Sequence, residues 1–533
     1  MGRAKTDSFV CEIPLKVTGS DAHRLGKKLE AARQCYNACL GEAERRRKLL
    51  VESKAYRAAR RMPRSNSKQI KARNKAFGDV RAVYGYREYD LHGWAAEIKR
   101  GWVGDHLDIN CVQTVATRAF RASERVVFGK ARKVRFKGSR GLSSIEGKTN
   151  KAGIRWRGCA DTDDVWRVEW AGLTLRAKVD VDDPVVAHGL ASPVKYVRLV
   201  RRKICGRDRF YVQLVCAGRP YIKDKNRVGS ESAGTVGLDL GPSTVAWVAE
   251  TENGVPVAGL EQFCDELDVS EDEIRLLQRK QDRQRRANNP DCYNDDGTPI
   301  RKKRPGRKSN RQRRTEAKLA EKKRRQAAHR KSLHGNLANR IVVHGDQFNL
   351  EKISYRAFQR RWGKSVGARA PAMFVDILRR KAESADDADV FEFGTRTTKL
   401  SQTCICGRQT KKKLSERMHE CPCRIRCQRD LFSVFLACFV EGDDTHILNA
   451  DRALEAWSRS EQALQTAHRT ALEAAKANNV VVGSFGRVGQ TQSGSSAPRT
   501  PSAKNGNDVT GQAHTRPGEG SEKALTATGT PRL

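Results

Sequence analysis

Apolar and polar residues alternate over positions 9–17, Phe-Val-Cys-Glu-Ile-Pro-Leu-Lys-Val, and this period of two predicts a β-strand. From Ser20 the spacing changes: Leu25, Leu29, Ala32, Tyr36 and Leu40 recur every three or four residues, as one apolar face of a helix requires. Helical spacing continues to about residue 130, with breaks near Pro63 and Gly101. Beyond 131 the apolar runs are short and punctuated by Gly and Pro, as in Lys133-Val-Arg-Phe-Lys-Gly and Gly153-Ile-Arg-Trp-Arg, so 131–232 reads as mostly β. Within it, Val194–Ile204 and Phe210–Cys216 flank Cys-Gly-Arg-Asp and predict a hairpin.

A third region opens at Thr235-Val-Gly-Leu-Asp-Leu-Gly-Pro-Ser-Thr-Val-Ala-Trp, two strands of buried character around a Gly-Pro-Ser turn. Ser270 and Glu273 form a capping-box pattern ahead of Ile274, Leu276 and Leu277, which predicts a helix start there. Two basic helices should follow, split by Asn288-Asn-Pro-Asp-Cys-Tyr-Asn-Asp-Asp-Gly and docked by a narrow stripe of Leu319, Leu333 and Leu337. The last 48 residues hold eight Gly, four Pro and no aromatic, and a chain so poor in apolar surface is expected to stay disordered.

Composition then narrows the class. The chain has 533 residues, 103 Lys and Arg against 62 Asp and Glu, and a formal charge of +41. Charge of one sign at that density repels itself unless a polyanion neutralises it, and nucleic acid is the commonest one. The stretch Arg279–Lys331 alone carries 21 basic and six acidic residues. We take Arg279, Lys280, Arg283, Arg285, Arg286, Arg313, Arg314, Lys322, Lys323, Arg324 and Arg325 in it as candidate phosphate contacts, the alternative being a solvated helix face. The longest apolar run, Phe432-Ser-Val-Phe-Leu-Ala-Cys-Phe-Val440, is far short of the roughly 20 residues that cross a bilayer, so no membrane partner is expected. The N-terminal residues lack an apolar leader core, which makes the cytoplasm the expected location.

Candidate chemistry sits in two sets of residues. Asp239 interrupts a strand of core character, and a buried carboxylate needs a partner such as a divalent cation, a turn or cap role being the alternative. Glu351, at the end of the β-type run Phe348-Asn-Leu-Glu, and Asp430, opening an apolar helix, are two further carboxylates whose alternatives are a surface strand end and a helix cap. Spacing alone does not join the three; a fold that did could hold two Mg²⁺ ions on a phosphodiester. The second set is Cys404-Ile-Cys406 and Cys421-Pro-Cys423, two pairs 14 residues apart, which read as a structural Zn²⁺ knuckle in which Cys427 and His419 are reserve ligands. The other eleven of the 15 cysteines have no framework spacing and read as reduced.

The order of these motifs carries a resemblance. Gly-Leu-Asp-Leu-Gly, a long basic helical pair, Leu337-Ala-Asn-Arg-Ile-Val with Glu351 after it, Ser401-Gln-Thr-Cys-Ile-Cys-Gly, Cys-Pro-Cys and Arg429-Asp430 together resemble the RuvC-like nuclease of the TnpB proteins and type V CRISPR effectors. The match is strongest over about 235–440; Arg33-Gln-Cys-Tyr-Asn and Phe136-Lys-Gly are also similar to that family's N-terminal part. It departs from the family at Gln428, where an acidic residue is usual, at Lys352, and at bulky Phe432, Phe435 and Leu436.

The resemblance implies a multidomain α+β protein: an RNase H-like (RuvC) nuclease domain at 233–484 with a zinc-knuckle insert at about 400–427, a wedge β-barrel from 1–17 and 131–232, a helical recognition lobe at 18–130 and a tail at 485–533. It implies Asp239, Glu351 and Asp430 as the catalytic, Mg²⁺-binding set, and guide RNA and target double-stranded DNA as partners of a prokaryotic, nucleoid-associated RNA-guided DNA endonuclease, a monomer being the favoured state. Transposon-encoded TnpB, a guide-dependent DNA binder and a transposase are the alternative members of that wider group.

Overall fold

The computed structural model describes residues 7–477 apart from 159–165, 227–233, 252–253, 302, 304, 386–387, 414 and 443–445; the expected tail at 485–533 lies outside the described residues. Alternation over β1 (Ser8–Lys16) buries Phe9, Cys11, Ile13 and Leu15. Helix α1 (Gly19–Glu52) begins one residue before the expected Ser20, because Thr18 and Asp21 form a reciprocal capping box there. It is followed by α2 (Lys54–Arg61), α3 (Ser67–Val83), α4 (Glu88–Arg100) and α5 (Ile109–Val127), and the breaks near Pro63 and Gly101 fall between helices as expected.

Strand β1 does not stay with these helices. It lies inside a seven-stranded sheet of order β2-β6-β7-β1-β5-β4-β3, in which the other strands are β2 (Ser144–Glu146), β3 (Arg155–Arg157), β4 (Arg167–Trp170), β5 (Leu173–Ala177), β6 (Val194–Ile204) and β7 (Arg207–Ala217). β1 runs antiparallel to both β7 and β5. The β6–β7 turn is tighter than expected: only Cys205 and Gly206 lie between the strands, both with positive φ, which suits the right-handed twist of a hairpin. One continuous core joins the helices to this sheet, with Leu25, Leu29 and Cys35 of α1 in the same cluster as Ile13, Trp170 and Val212.

Two expectations for 131–232 change. A helix, α6 (Pro184–Ala191), interrupts the strands, with Asp183 capping it and Pro184 at its first position. Residues 133–138 form no strand. The peptide groups of Lys137 are instead taken by α1: its N–H donates to Asn37 Oδ1 at 2.8 Å, and its carbonyl accepts from Asn37 Nδ2 and Arg33 Nη1, each at 2.9 Å.

The second sheet has five strands in the order β10-β9-β8-β11-β12: β8 (Gly234–Leu240), β9 (Thr244–Thr251), β10 (Val257–Gln262), β11 (Gln347–Glu351) and β12 (Asp389–Phe393). β8, β9 and β10 form an antiparallel meander through the Gly-Pro-Ser turn, whereas β11 is parallel to β8 and β12 parallel to β11. Between β10 and β11 come α7 (Asp268–Asn288) and α8 (Asn310–Val342); α9 (Tyr355–Arg369) and α10 (Pro371–Ser384) link β11 to β12, and α11 (Thr395–Thr398), β13 (Met418–Glu420), β14 (Arg426–Gln428), α12 (Arg429–Ala437) and α13 (Ala450–Ala477) follow. Val236, Leu238 and Leu240 face α8 and α10, while Ala246, Val248 and Leu260 face α12 and α13, so helices cover both sides of the sheet.

The Ser270–Glu273 capping box does not form. Helix α7 starts at Asp268, the Ser270 hydroxyl donates to the Leu267 carbonyl at 2.7 Å, and Glu273 reaches across to Lys322 instead. α7 and α8 pair as an antiparallel hairpin along polar rungs, Asn288 with Gln312 at 2.8 Å and Gln281 with Glu316 at 3.4 Å. Apolar packing of α8 comes from Leu319 and, towards its C-terminus, from Leu333, Leu337, Ala338, Ile341 and Val342, which includes the three leucines of the expected stripe. No helix among the described residues is long and apolar enough to cross a membrane.

Candidate active site and cysteine knuckle

The residues two apart on a strand share a face, and those four apart on a helix share another; the carboxylates come together through these two periods. Gly237 and Asp239 lie on the α12 side of β8. A Cβ built on Gly237 would stand 2.0 Å from the carbonyl oxygen of Val434, so α12 crosses β8 at backbone distance there. From Val434 back to Asp430 the helix rises about 6 Å, and from Gly237 to Asp239 the strand rises about 6.6 Å, which carries Asp430 to the level of Asp239. On the neighbouring strand Asn349 is the register partner of Gly237, and its side chain donates to the Ala437 carbonyl at 2.9 Å, clamping the other end of α12. Glu351, two residues beyond Asn349, therefore ends β11 beside Asp239.

The electrostatics agree with that geometry. Asp239 is half-buried, and its carboxyl is pushed well above the usual range by burial and then by the negative charges of Glu351 and Asp430, with partial relief from Arg429 and the Leu240 amide. Burial pushes Glu351 up to about 7. Asp239 and Glu351 are therefore neighbouring carboxyls raised by burial, and the charges of Glu351 and Asp430 both reach Asp239, an all-oxygen donor set of the kind a hard divalent cation takes. Asp430 is not the helix cap: that is Gln428, whose Oε1 accepts from the Leu431 N–H at 2.7 Å. Buried Arg429 and half-buried Arg417 hold the Asp430 carboxylate at 3.3 and 3.6 Å. The Arg429 guanidinium also donates to the Lys413 and Glu416 carbonyls at 3.1 and 2.8 Å, which ties the loop before β13 to this carboxylate. Asn349, Arg417, Gln428 and Arg429 were not legible as site residues in the sequence; a Gly two positions before a strand Asp was the one usable sign of a crossing helix.

The four cysteines converge. Cys404 and Cys423 sulfurs lie 3.6 Å apart, as do those of Cys406 and Cys421, and all four are within 4.8 Å of one another. Tetrahedral zinc with bonds of about 2.3 Å sets sulfurs about 3.8 Å apart, so this group can bind zinc. The two turns are built alike. The Cys404 carbonyl accepts from Gly407 and its N–H donates to Arg408; the Cys421 carbonyl accepts from Arg424 and its N–H donates to Ile425. Gly407 and Arg424 both take positive φ at the matching position. Burial opposes ionisation of Cys421, but the Cys423 amide and neighbouring thiols outweigh it and bring the thiol down to about 7. Neither reserve ligand is used: Cys427 is buried in the α12–α13 core, and His419 stacks on Phe432 at 4.1 Å with its Nδ1 beside Lys412.

The basic candidates divide in two. Arg279, Lys280, Arg283 on α7 and Arg313, Arg314 and Lys323 on α8 are exposed, and none is in an ion pair among the described contacts. Arg324 and Arg325 both grip Glu321, Arg285 pairs with Asp282, Lys322 with Glu273, and Arg286 lies over the Tyr293 ring at 5.9 Å. Glu321 in turn accepts from the Cys205 N–H at 3.1 Å, so the β6–β7 turn docks on α8.

No family model matches the chain, and no curated protein matches it. Among solved structures, it is similar to a Cas12f1–sgRNA–target DNA complex, with 13% identity, a TM-score of 0.42, and coverage of 81% of this chain and 98% of that one. A CRISPR-Cas12f ternary complex matches with 13% identity and a TM-score of 0.27 over 78% and 81% of the two chains. The mini-RNA-guided endonuclease CRISPR-Cas phi3 matches with 12% identity and a TM-score of 0.28 over 54% and 57%.

Proposed function

We propose that the protein is an RNA-guided DNA endonuclease of the small type V effector kind, with guide RNA and target double-stranded DNA as partners. The observation that carries the reading is that the charges of Glu351 and Asp430 reach the Asp239 carboxyl, although the three come from β11, α12 and β8 and are separated by more than a hundred residues at the extremes. The strand order of the five-stranded sheet, antiparallel on one side and parallel on the other, supports an RNase H-like domain, and the order of the sequence motifs supports the family.

In this reading Asp239, Glu351 and Asp430 would hold two Mg²⁺ ions, which supply activation of water and stabilisation of the leaving oxygen. The chain's own part is positioning. Gly237 lets α12 approach, Asn349 fixes that helix, and Arg417 and Arg429 orient the Asp430 carboxylate. The free basic residues of α7 and α8 supply phosphate contacts along a nucleic acid backbone. Base pairing with a guide, rather than protein contacts to bases, would set target sequence.

The test is expression with native flanking DNA, sequencing of co-purifying RNA, and cleavage of a matched target beside a randomised flanking library. Wild type should cut and Asp239→Ala should bind without cutting. Absence of any discrete RNA, or full cleavage by Asp239→Ala, overturns the reading.

A further inference from the structure

The helical part contains a cavity of about 920 Å³ that the nuclease reading leaves unused. Its walls come from α2 with the following turn, from α3, and from the end of α5. Arg60, Arg64, Arg73 and Arg81 line it together with Tyr56, Phe77 and Phe128, and no carboxylate does. Its volume lies in the range of small-ligand sites and is too small for a double helix.

Each wall is held by identifiable contacts. Arg73 stands over the Phe77 ring at 5.3 Å and donates to the Ala59 carbonyl at 3.4 Å, bridging α3 to α2; Tyr56 leans on Phe77 at 5.2 Å. Arg81 lies 5.6 Å from the centre of the Phe128 ring and pairs with Glu124 at 3.3 Å, which fixes the ring at the rim. Phe128 is nevertheless 59% exposed. Arg60 and Arg64 also line the cavity, are exposed, and have no ion-pair partner among the described contacts.

An exposed aromatic held by an arginine, beside guanidinium groups without ion pairs, matches one ligand chemistry: an aromatic ring joined to phosphates. A base inside a duplex has no free face to offer such a ring. We propose that this cleft captures an unpaired nucleotide of a single-stranded nucleic acid segment, stacking its base on Phe128 and holding the flanking phosphates with Arg60 and Arg64. The proposal rests on the nucleic-acid part of the reading above and not on cleavage.

The experiment uses the full chain and a fluorescent 12-nucleotide RNA, the same sequence as single-stranded DNA, and a blunt duplex. Phe128→Ala should weaken single-strand binding about 5- to 100-fold, as loss of one stacked base does, and leave duplex binding unchanged. Phe128→Leu, which keeps apolar bulk but no aromatic face, should behave alike, with the same melting temperature as wild type. Arg60→Ala/Arg64→Ala should lower the dependence of affinity on log salt by about one to two. RNA against DNA arms tell which strand is held. Unchanged single-strand binding in both Phe128 variants, or an equal loss on duplex, overturns the proposal, whatever Asp239→Ala does to cleavage.

Discussion

Gly237 and Val434 meet backbone to backbone: nothing larger than a hydrogen fits between the Gly237 α-carbon and the Val434 carbonyl oxygen. The contact sits two residues from Asp239 along β8 and four residues from Asp430 along α12, so it sets the spacing of two carboxylates. Gly237→Ala should lower unfolding free energy by about 1–3 kcal/mol, the usual cost of overpacking. Cleavage should fall further than that stability loss explains, and denaturant midpoints read beside cleavage rates on the same preparation will separate the two effects. Wild-type rates in a destabilised Gly237→Ala protein would mean that the crossing does not fix the site.

Glu351→Gln and Asp430→Asn should each reduce guided cleavage by about a thousandfold or more while leaving target affinity within a few fold, since several kcal/mol of transition-state stabilisation depend on the carboxylate set. Arg417→Ala, which removes only an orienting contact, should cost much less and should be visible in the rate at saturating target rather than in affinity.

Metal removal gives a separate reading. A purified chain should carry about one zinc, measured by elemental analysis, and Cys404→Ser or Cys423→Ser should lose it. Because Arg429 is bonded to the loop between the cysteine pairs, zinc loss should slow cleavage before it weakens nucleic-acid binding. Full metal content in the Cys404→Ser protein would exclude that residue as a ligand.

Free and neutralised arginines should differ. Replacing Arg279, Lys280 and Arg283 by Ala should lower the salt slope of nucleic-acid binding by about two to three, whereas Arg324→Ala/Arg325→Ala should do less, because Glu321 already engages both. Equal effects of the two sets would contradict the ion-pair pattern.

Buried His334 should report acid instability. Its ring stacks on Phe263, its Nε2 bonds to the Arg369 carbonyl at 2.9 Å, and burial pulls its pKa down to about 4. The unfolded chain therefore binds a proton between about pH 6.5 and 4 that the folded chain refuses, and stability falls as pH drops through that window. The contribution is at most about 3 kcal/mol, and urea midpoints of wild type and His334→Gln across that range should diverge from it.

Much of the local structure was legible from sequence because its causes are local. Alternation gave β1, the spacing of apolar residues gave α1, and the loop-split basic stretch gave two helices where α7 and α8 lie. Even there, local signals lost where a distant partner competed: Asn37 of α1 claims the Lys137 peptide that a strand would have used, and Lys322 claims the Glu273 side chain of the expected capping box. The cysteine pairs were visible as pairs, while their approach to 3.6 Å, and the exclusion of Cys427 and His419, required the fold.

By itself the sequence determined β1, the apolar face of α1, the β6–β7 strand pair and the breaks near Pro63 and Gly101, together with the strongly basic character of the chain and which carboxylates and cysteines were worth watching. Only the tertiary structure decided that Glu351 and Asp430 act on the Asp239 carboxyl, that Gln428 and not Asp430 caps α12, and which arginines are left free of ion pairs. The reason is range: caps, turns and periodicity act over two to four residues, whereas these three carboxylates meet through parallel strand pairing and one close helix crossing between segments far apart in the chain.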